Sequence, residues 1–131
     1  NLAGPVEAVP TPKSKPNSKE YDYYQQLEQL CREQKIYRDK TLDRTAVAEL
    51  LGISPGYVPQ IINSASGDNF STYINRHRVE EVKVLILDKA FANYSLLAIG
   101  LECGFSSKAT YHNSFKKITG MTPNAFKKAH Q

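Results

Sequence analysis

The sequence predicts an all-α fold: two helix-turn-helix subdomains joined by a long linker helix, about seven helices in all. Three observations predict it. Apolar residues recur at three- and four-residue spacing, the period of a helix with one buried face, and no strand-like alternation competes. Residues suited to helix starts and stops punctuate those runs. Above all, the second half of the chain repeats the first.

Residues 1–20 carry Pro5, Pro10, Pro12 and Pro16 among Lys and Ser, with few large apolar groups, and read as a flexible linker or tail. The domain then runs over residues 21–131. From Tyr21 onward, Tyr24, Leu27, Leu30 and Cys31 share one face of a helix ending near Lys35. Asp43 caps a helix over residues 44–51 that buries Val47, Ala48 and Leu51. Gly52 stops it, because glycine takes a left-handed turn without steric cost. Ser54 caps a third helix, with Pro55 at its first position and Val58, Ile61 and Ile62 inward. Asn69 caps a long helix from 70 to about 89, with Tyr73, Ile74, Val82, Leu85 and Ile86 inward. Ser95 starts the next helix, which ends at Gly104. Ser106 opens another that runs through Thr119, and Thr122 with Pro123 opens a short last helix holding Phe126.

The repeat runs at constant offset. Asp43 pairs with Ser95, Val47 with Ile99, Ala48 with Gly100, Leu51 with Cys103, Gly52 with Gly104 and Ile53 with Phe105. After one inserted residue, Val58 pairs with Tyr111, Ile61 with Ser114, Ile62 with Phe115, Gly67 with Gly120 and Tyr73 with Phe126. Each copy has a small residue where the second helix crosses, a glycine four residues later at the turn, an apolar plug, and a second helix. That geometry sets the second helix proud of the surface, where a major groove can receive it. The units are residues 43–67 and 95–120, and the joining helix holds them roughly one DNA turn, about 34 Å, apart.

Charge agrees with a polyanionic partner. The net charge is only +4, from 17 Lys and Arg against 13 Asp and Glu. No acid follows Glu102, whereas Lys108, Lys116, Lys117, Lys127 and Lys128 do. No apolar run is long enough to span a membrane. Cys31 and Cys103 lack CxxC spacing and read as reduced core thiols of a cytoplasmic protein, a disulfide between them being the alternative. The histidines His77, His112 and His130 show no triad spacing. His77 with Glu80 or Glu81 is a conceivable metal pair without further ligands, and there is no glycine-rich phosphate loop. No enzyme, metal or cofactor is expected. The chain opens on Asn1 rather than Met, which predicts a fragment with an upstream part.

Residues 43–128, about two-thirds of the chain, resemble the AraC/XylS-type DNA-binding domain of bacterial transcription regulators. The resemblance rests on Ile99-Gly-Leu-Glu-Cys-Gly-Phe-Ser-Ser, then Tyr111, Phe115-Lys-Lys-Ile-Thr-Gly and Met121-Thr-Pro-Asn-Ala-Phe-Lys. Leu50-Leu-Gly-Ile-Ser-Pro-Gly-Tyr-Val resembles the family's first turn and Asn75-Arg-His-Arg-Val-Glu-Glu-Val its linker helix. It implies binding to double-stranded promoter DNA, a sensing or dimerising region elsewhere in the full protein, and RNA polymerase as an additional partner. A membrane-tethered full-length protein is compatible with it.

By position, the resemblance implies that Gly56, Pro59 and Gln60 of the first recognition helix meet base edges, with Ser54, Asn63 and Ser64 near phosphate. Lys108, Ala109, His112 and Asn113 of the second helix meet bases. Ser106, Ser107, Thr110, Lys116 and Lys117 meet phosphate. Gln60 and Asn113 suit adenine, Lys108 guanine and Ala109 a thymine methyl. Tyr57 and Tyr111 read as packing residues, and Arg78 as the partner of a nearby acid. Two positions depart from the family. Pro59, inside the first recognition helix, is expected to break the bond to the Pro55 carbonyl and either weaken reading by that unit or distort it locally. Val84 places an apolar side chain on the outer side of the long helix, which suits a rival function as a protein-docking module with weakened DNA binding.

Overall fold

The computed structural model describes residues 16–131. Every regular element among them is helical: α1 (Ser18–Gln29), α2 (Arg44–Leu51), α3 (Val58–Ser66), α4 (Phe70–Ile86), α5 (Leu96–Glu102), α6 (Lys108–Thr119) and α7 (Pro123–Ala129). Short 3₁₀ turns lie between α1 and α2, before α3 and after α4.

Helix starts follow side-chain chemistry. Asp43, Asn69, Ser95 and Thr122 each accept a hydrogen bond from the backbone N–H three residues on, capping α2, α4, α5 and α7. Two boundaries differ from the sequence expectation, the start of α1 and the end of α4, whereas α1 ends at Lys35 as expected. α1 begins at Ser18, inside the stretch expected to be linker, because Asn17 and Glu20 form a reciprocal capping box. The linker assignment for residues 1–15 lies outside the described residues. α1 continues as a π-helical turn over Leu30–Gln34 and ends at Lys35 with φ 51°. α4 stops at Ile86, and Asp88 caps a separate 3₁₀ turn, Lys89–Phe91.

Two cores flank α4. Tyr73 and Ile74 from its first half join Leu27, Val47, Val58 and Ile62. Val79, Val82 and Leu85 from its second half join Ile99, Phe105, Tyr111 and Phe115. Cys31 lies in the first core and Cys103 in the second, both as free thiols. Each buried aromatic or branched side chain stabilises the fold by roughly 2 kcal/mol.

The repeat predicted from sequence is carried into the backbone. At the two turns the Ile53 and Phe105 N–H groups bond the Ala48 and Gly100 carbonyls at 3.0 and 3.1 Å. Gly67 and Gly120 end α3 and α6 in the left-handed conformation, at φ 81° and 85°. Gly100 is small for a physical reason: a Cβ there would lie 2.5 Å from the Tyr111 ring.

The units meet at a built junction. Arg78 of α4 donates from Nε to the Tyr37 carbonyl at 2.7 Å and from Nη2 to the Asp39 carbonyl at 2.9 Å. Its guanidinium carbon sits 5.9 Å from the Phe105 ring centroid. Arg78 is thus structural, but its partners are backbone carbonyls and the Asn75 side-chain oxygen rather than an acid. One turn on, Glu81 accepts from Lys35 Nζ at 3.1 Å and from Arg38 Nε at 2.8 Å. Burial pushes the Glu81 carboxyl up, but the Arg38 and Lys35 hydrogen bonds outweigh it and hold it down to about 2.

One core group is unsatisfied. The Tyr111 hydroxyl is buried without a hydrogen-bond partner, and burial pushes its pKa above the usual tyrosine range. Tyr111→Phe removes a desolvated polar atom and keeps the ring. It is expected to stabilise the protein by about 1 kcal/mol, read as a higher urea midpoint at unchanged slope. A lower midpoint would show that the hydroxyl has a partner.

Candidate nucleic-acid interface

In the first unit the chain makes a 3₁₀ turn over Pro55–Tyr57 before α3 begins, and the Val58 N–H takes the Pro55 carbonyl. Pro59 therefore falls in the first turn of α3, where its missing N–H has no intrahelical partner to lose. The bond from residue 59 to the Pro55 carbonyl is absent as expected, but Val58 takes that carbonyl instead and α3 is not broken. Ser54 leads the turn, but its side chain makes no capping bond. Gly56 and Gln60 are exposed and Pro59 is half-buried. Asn63, also half-buried, donates to the Gly67 carbonyl at 3.3 Å. Ser64 corrects the sequence reading: it is 3% exposed and its hydroxyl donates to the Ile61 carbonyl, so it faces the core rather than phosphate.

The second recognition helix, α6, is more regular. Its cap is Ser107, not Ser106: the Ser107 hydroxyl accepts from the Thr110 N–H at 3.1 Å. Tyr111 and Phe115, four residues apart, anchor one face in the core. Ala109, Asn113 and Lys116 are exposed on the other face, and His112 beside them is half-buried, edge-on to the Tyr111 ring. Lys108, Thr110 and Lys117 are exposed too, as are Ser106 and Ser107. The residues expected to meet bases and phosphates in this unit thus lie together on the solvent side of one short segment.

Electrostatics separates the units. Residues 55–66 contain no charged side chain, whereas residues 106–119 contain Lys108, Lys116 and Lys117 and no acid. Two contacts near the first recognition helix were not anticipated. Gln60 donates its amide to the Glu20 carboxylate, and Tyr57 meets the Tyr23 ring edge-on at 6.1 Å. The Asn17–Glu20 spacing could have signalled the cap, but not the tie to Gln60.

A groove of about 680 Å³ runs beside α4, with Glu28, His77, Glu80 and Glu81 among its lining residues. All four are paired within the chain, Glu80 with Lys83 at 3.2 Å. His77 pairs with Glu28 at 3.2 Å rather than with Glu80 or Glu81, and Tyr73 donates to the same carboxylate. Glu81 is taken by Lys35 and Arg38. Among the described residues no three His, Cys, Asp or Glu side chains converge as metal ligands.

Burial pushes the His77 imidazole down, but hydrogen bonds to Cys31 and Glu28 outweigh it and bring it up to about 9. The same His77 bond, against burial, holds Glu28 below the usual carboxylate range. A raised histidine contributes stability that is complete below its unfolded value of about 6.5 and is lost as pH rises through about 9. The Glu28 share is present above the normal carboxylate range and is lost as pH falls. Unfolding free energy is therefore expected to drop by on the order of 2 kcal/mol between pH 6.5 and pH 9.5. Urea titrations at a series of pH values measure it. His77→Gln should flatten that drop, and an equal drop in the variant would assign it to another group.

The helix-turn-helix domain family matches residues 47–129. The chain belongs to the AraC-type helix-turn-helix family. As an AraC-type domain it is a DNA-binding part of bacterial transcription regulation. It is 29% identical to the HTH-type transcriptional regulator GlxA of Rhizobium meliloti (strain 1021) over 90 residues, 69% of this chain and 27% of that protein. It is 26% identical over 101 residues to an uncharacterised HTH-type transcriptional regulator of Staphylococcus aureus (strain MSSA476), 77% of this chain and 13% of that protein. The AraC-type domain thus spans well under half of either relative. Among solved structures, a Listeria innocua protein of unknown function aligns with TM-score 0.71 at 26% identity, covering 82% of this chain and 97% of that one. The C-terminal domain of AraT, a response regulator from Geobacillus stearothermophilus, shares the fold with TM-score 0.68 at 23% identity, covering 88% of each chain. No helix among the described residues is long and apolar enough to cross a membrane.

Proposed function

We propose that this domain binds double-stranded promoter DNA sequence-specifically, with α3 and α6 in adjacent major grooves and with α6 doing most of the reading. The observation that carries this reading is the solvent face of α6, where Ala109, His112, Asn113 and Lys116 form one stripe opposite the buried Tyr111 and Phe115. Lys108 suits guanine, Asn113 adenine, and Ala109 a thymine methyl, and His112 lies among them. Ser106, Ser107, Thr110, Lys116 and Lys117 lie along the same segment for phosphate. Gly56, Pro59 and Gln60 offer a smaller neutral surface in the first unit, with Ser54 and Asn63 beside it. The 17 residues of α4, at about 1.5 Å each, span roughly 25 Å, and the fixed Arg78 junction supports a single geometry between the units. The upstream part of the full protein would supply sensing or dimerisation, and RNA polymerase is a further partner.

Selection from a random duplex pool, followed by titration of the winner at several salt concentrations, tests this. The expected result is a split motif with half-sites about one turn apart and a steep fall of affinity with salt. A single short motif lost on Asn113→Ala but unaffected by Gln60→Ala would restrict reading to α6. No enrichment and no salt dependence would overturn DNA reading. The docking alternative would then rest on the apolar patch of Val84 and Leu87, which are 65% and 50% exposed.

A further inference from the structure

The first recognition helix carries an unexpected restraint. Glu20 is 5% exposed, and among the described residues no basic side chain pairs with it. Both its oxygens are engaged by neutral donors. Oε1 accepts the Asn17 backbone N–H at 3.2 Å, and Oε2 accepts the side-chain amide of Gln60. Asn17 returns the first bond, its Oδ1 accepting the Glu20 N–H at 2.8 Å. Burying a carboxylate beside neutral groups alone is unfavourable unless its hydrogen bonds are well made. Here they tie the start of α1 to the one exposed long polar side chain of α3.

A carboxylate only accepts, whereas a side-chain amide has two faces, one donating and one accepting. Glu20 therefore decides which face of Gln60 turns inward. The amide nitrogen points to Glu20, and the carbonyl oxygen is left to the outside. We propose that Glu20 is a positioning residue that fixes the orientation of Gln60, so that the first unit prefers bases offering a hydrogen-bond donor in the major groove. Adenine N6 and cytosine N4 are such donors, whereas guanine offers acceptors only. This rests on the reading above that Gln60 meets a base edge. It narrows the bidentate adenine contact expected from the sequence to a contact led by the carbonyl oxygen.

Glu20→Gln is the informative variant. Gln at the third helical position still serves a capping box, so α1 keeps its start. With its oxygen on the Asn17 N–H, the new side chain turns an amide nitrogen toward Gln60 and reverses it. Duplex selection with the wild-type chain, Glu20→Gln, Glu20→Ala, Gln60→Ala and Asn17→Ala reads the effect base by base. Glu20→Gln is expected to shift preference at one position about tenfold, from adenine or cytosine toward guanine. Glu20→Ala should broaden the same position, Gln60→Ala should erase its preference, and other positions should keep theirs. Asn17→Ala should lower the melting temperature without changing the motif, because it removes a cap and leaves the Glu20–Gln60 bond. If Gln60→Ala alters the motif while both Glu20 variants keep it, Glu20 is only a cap and the proposal fails alone. If Gln60→Ala alters nothing, the reading of the first unit fails and takes this inference with it.

Discussion

Gly104→Ala is expected to destabilise the protein by about 3 to 5 kcal/mol, far more than the equivalent change at Gly52. Both glycines end the first helix of a helix-turn-helix unit and both have positive φ, 112° and 72°. Around Gly52 a new Cβ would meet nothing within 4 Å, so Gly52→Ala carries only the left-handed backbone penalty of about 1 to 2 kcal/mol. At Gly104 the Cβ would lie 2.2 Å from the Tyr37 carbonyl oxygen and 2.8 Å from Arg78 Nε. Those two atoms form one of the hydrogen bonds that lock the units together. A methyl group there either displaces Arg78, orphaning the Tyr37 and Asp39 carbonyls, or lifts the second turn off the first unit. Denaturant unfolding of both variants measures the difference, and Asn in place of each glycine separates its causes. Asn tolerates the left-handed region, so Gly52→Asn should recover most of the loss and Gly104→Asn none. Equal losses at the two positions would mean that the junction yields freely and does not set the geometry between the units.

The contrast between the glycines also marks what the sequence could reveal. Local chemistry was legible: the repeat paired Gly52 with Gly104 and Ala48 with Gly100, and the caps at Asp43, Asn69, Ser95 and Thr122 lie where short polar side chains precede apolar periods. What distinguishes Gly104 is the Tyr37–Arg38 segment lying against it, a contact between residues far apart in the chain that no local pattern encodes. The same holds for Arg78, whose carbonyl partners on Tyr37 and Asp39 exist only once both units have docked. Register explains the remaining differences. Ser106 and Ser107 are adjacent and chemically alike, and a one-residue choice decides which caps α6. Ser64 follows the buried Ile61 and Ile62 and turns inward with them, although its residue type suits the surface. Pro59 looks interior only if the helix starts at Ser54. The 3₁₀ turn delays α3 by one turn and makes the proline harmless.

The asymmetry between the recognition helices leads to the second large effect. Changing Lys116 and Lys117 together to Ala is expected to weaken DNA binding roughly 10- to 100-fold near physiological salt and to reduce the salt slope by about two. Both lysines are exposed in the last turn of α6, next to its carbonyl end, where positive charge is also favoured by the helix dipole. The segment 55–66 of the first unit has no charge to compensate. Phosphate contacts lower affinity for every sequence alike when removed, so the double variant should select the same motif as the parent chain. Asn113→Ala should do the opposite, costing about 1 to 3 kcal/mol on the preferred site, relaxing one base position and leaving the salt slope intact. Fluorescence titration of a labelled duplex at four or more salt concentrations separates the two behaviours. An unchanged slope in the double variant would move phosphate neutralisation to Lys127 and Lys128, which lie in the last turn of α7. The base-reading role of α6 would then have to be carried by Asn113 and Lys108 without flanking phosphate anchors, a weaker arrangement because contacts to the backbone are what hold a recognition helix in register.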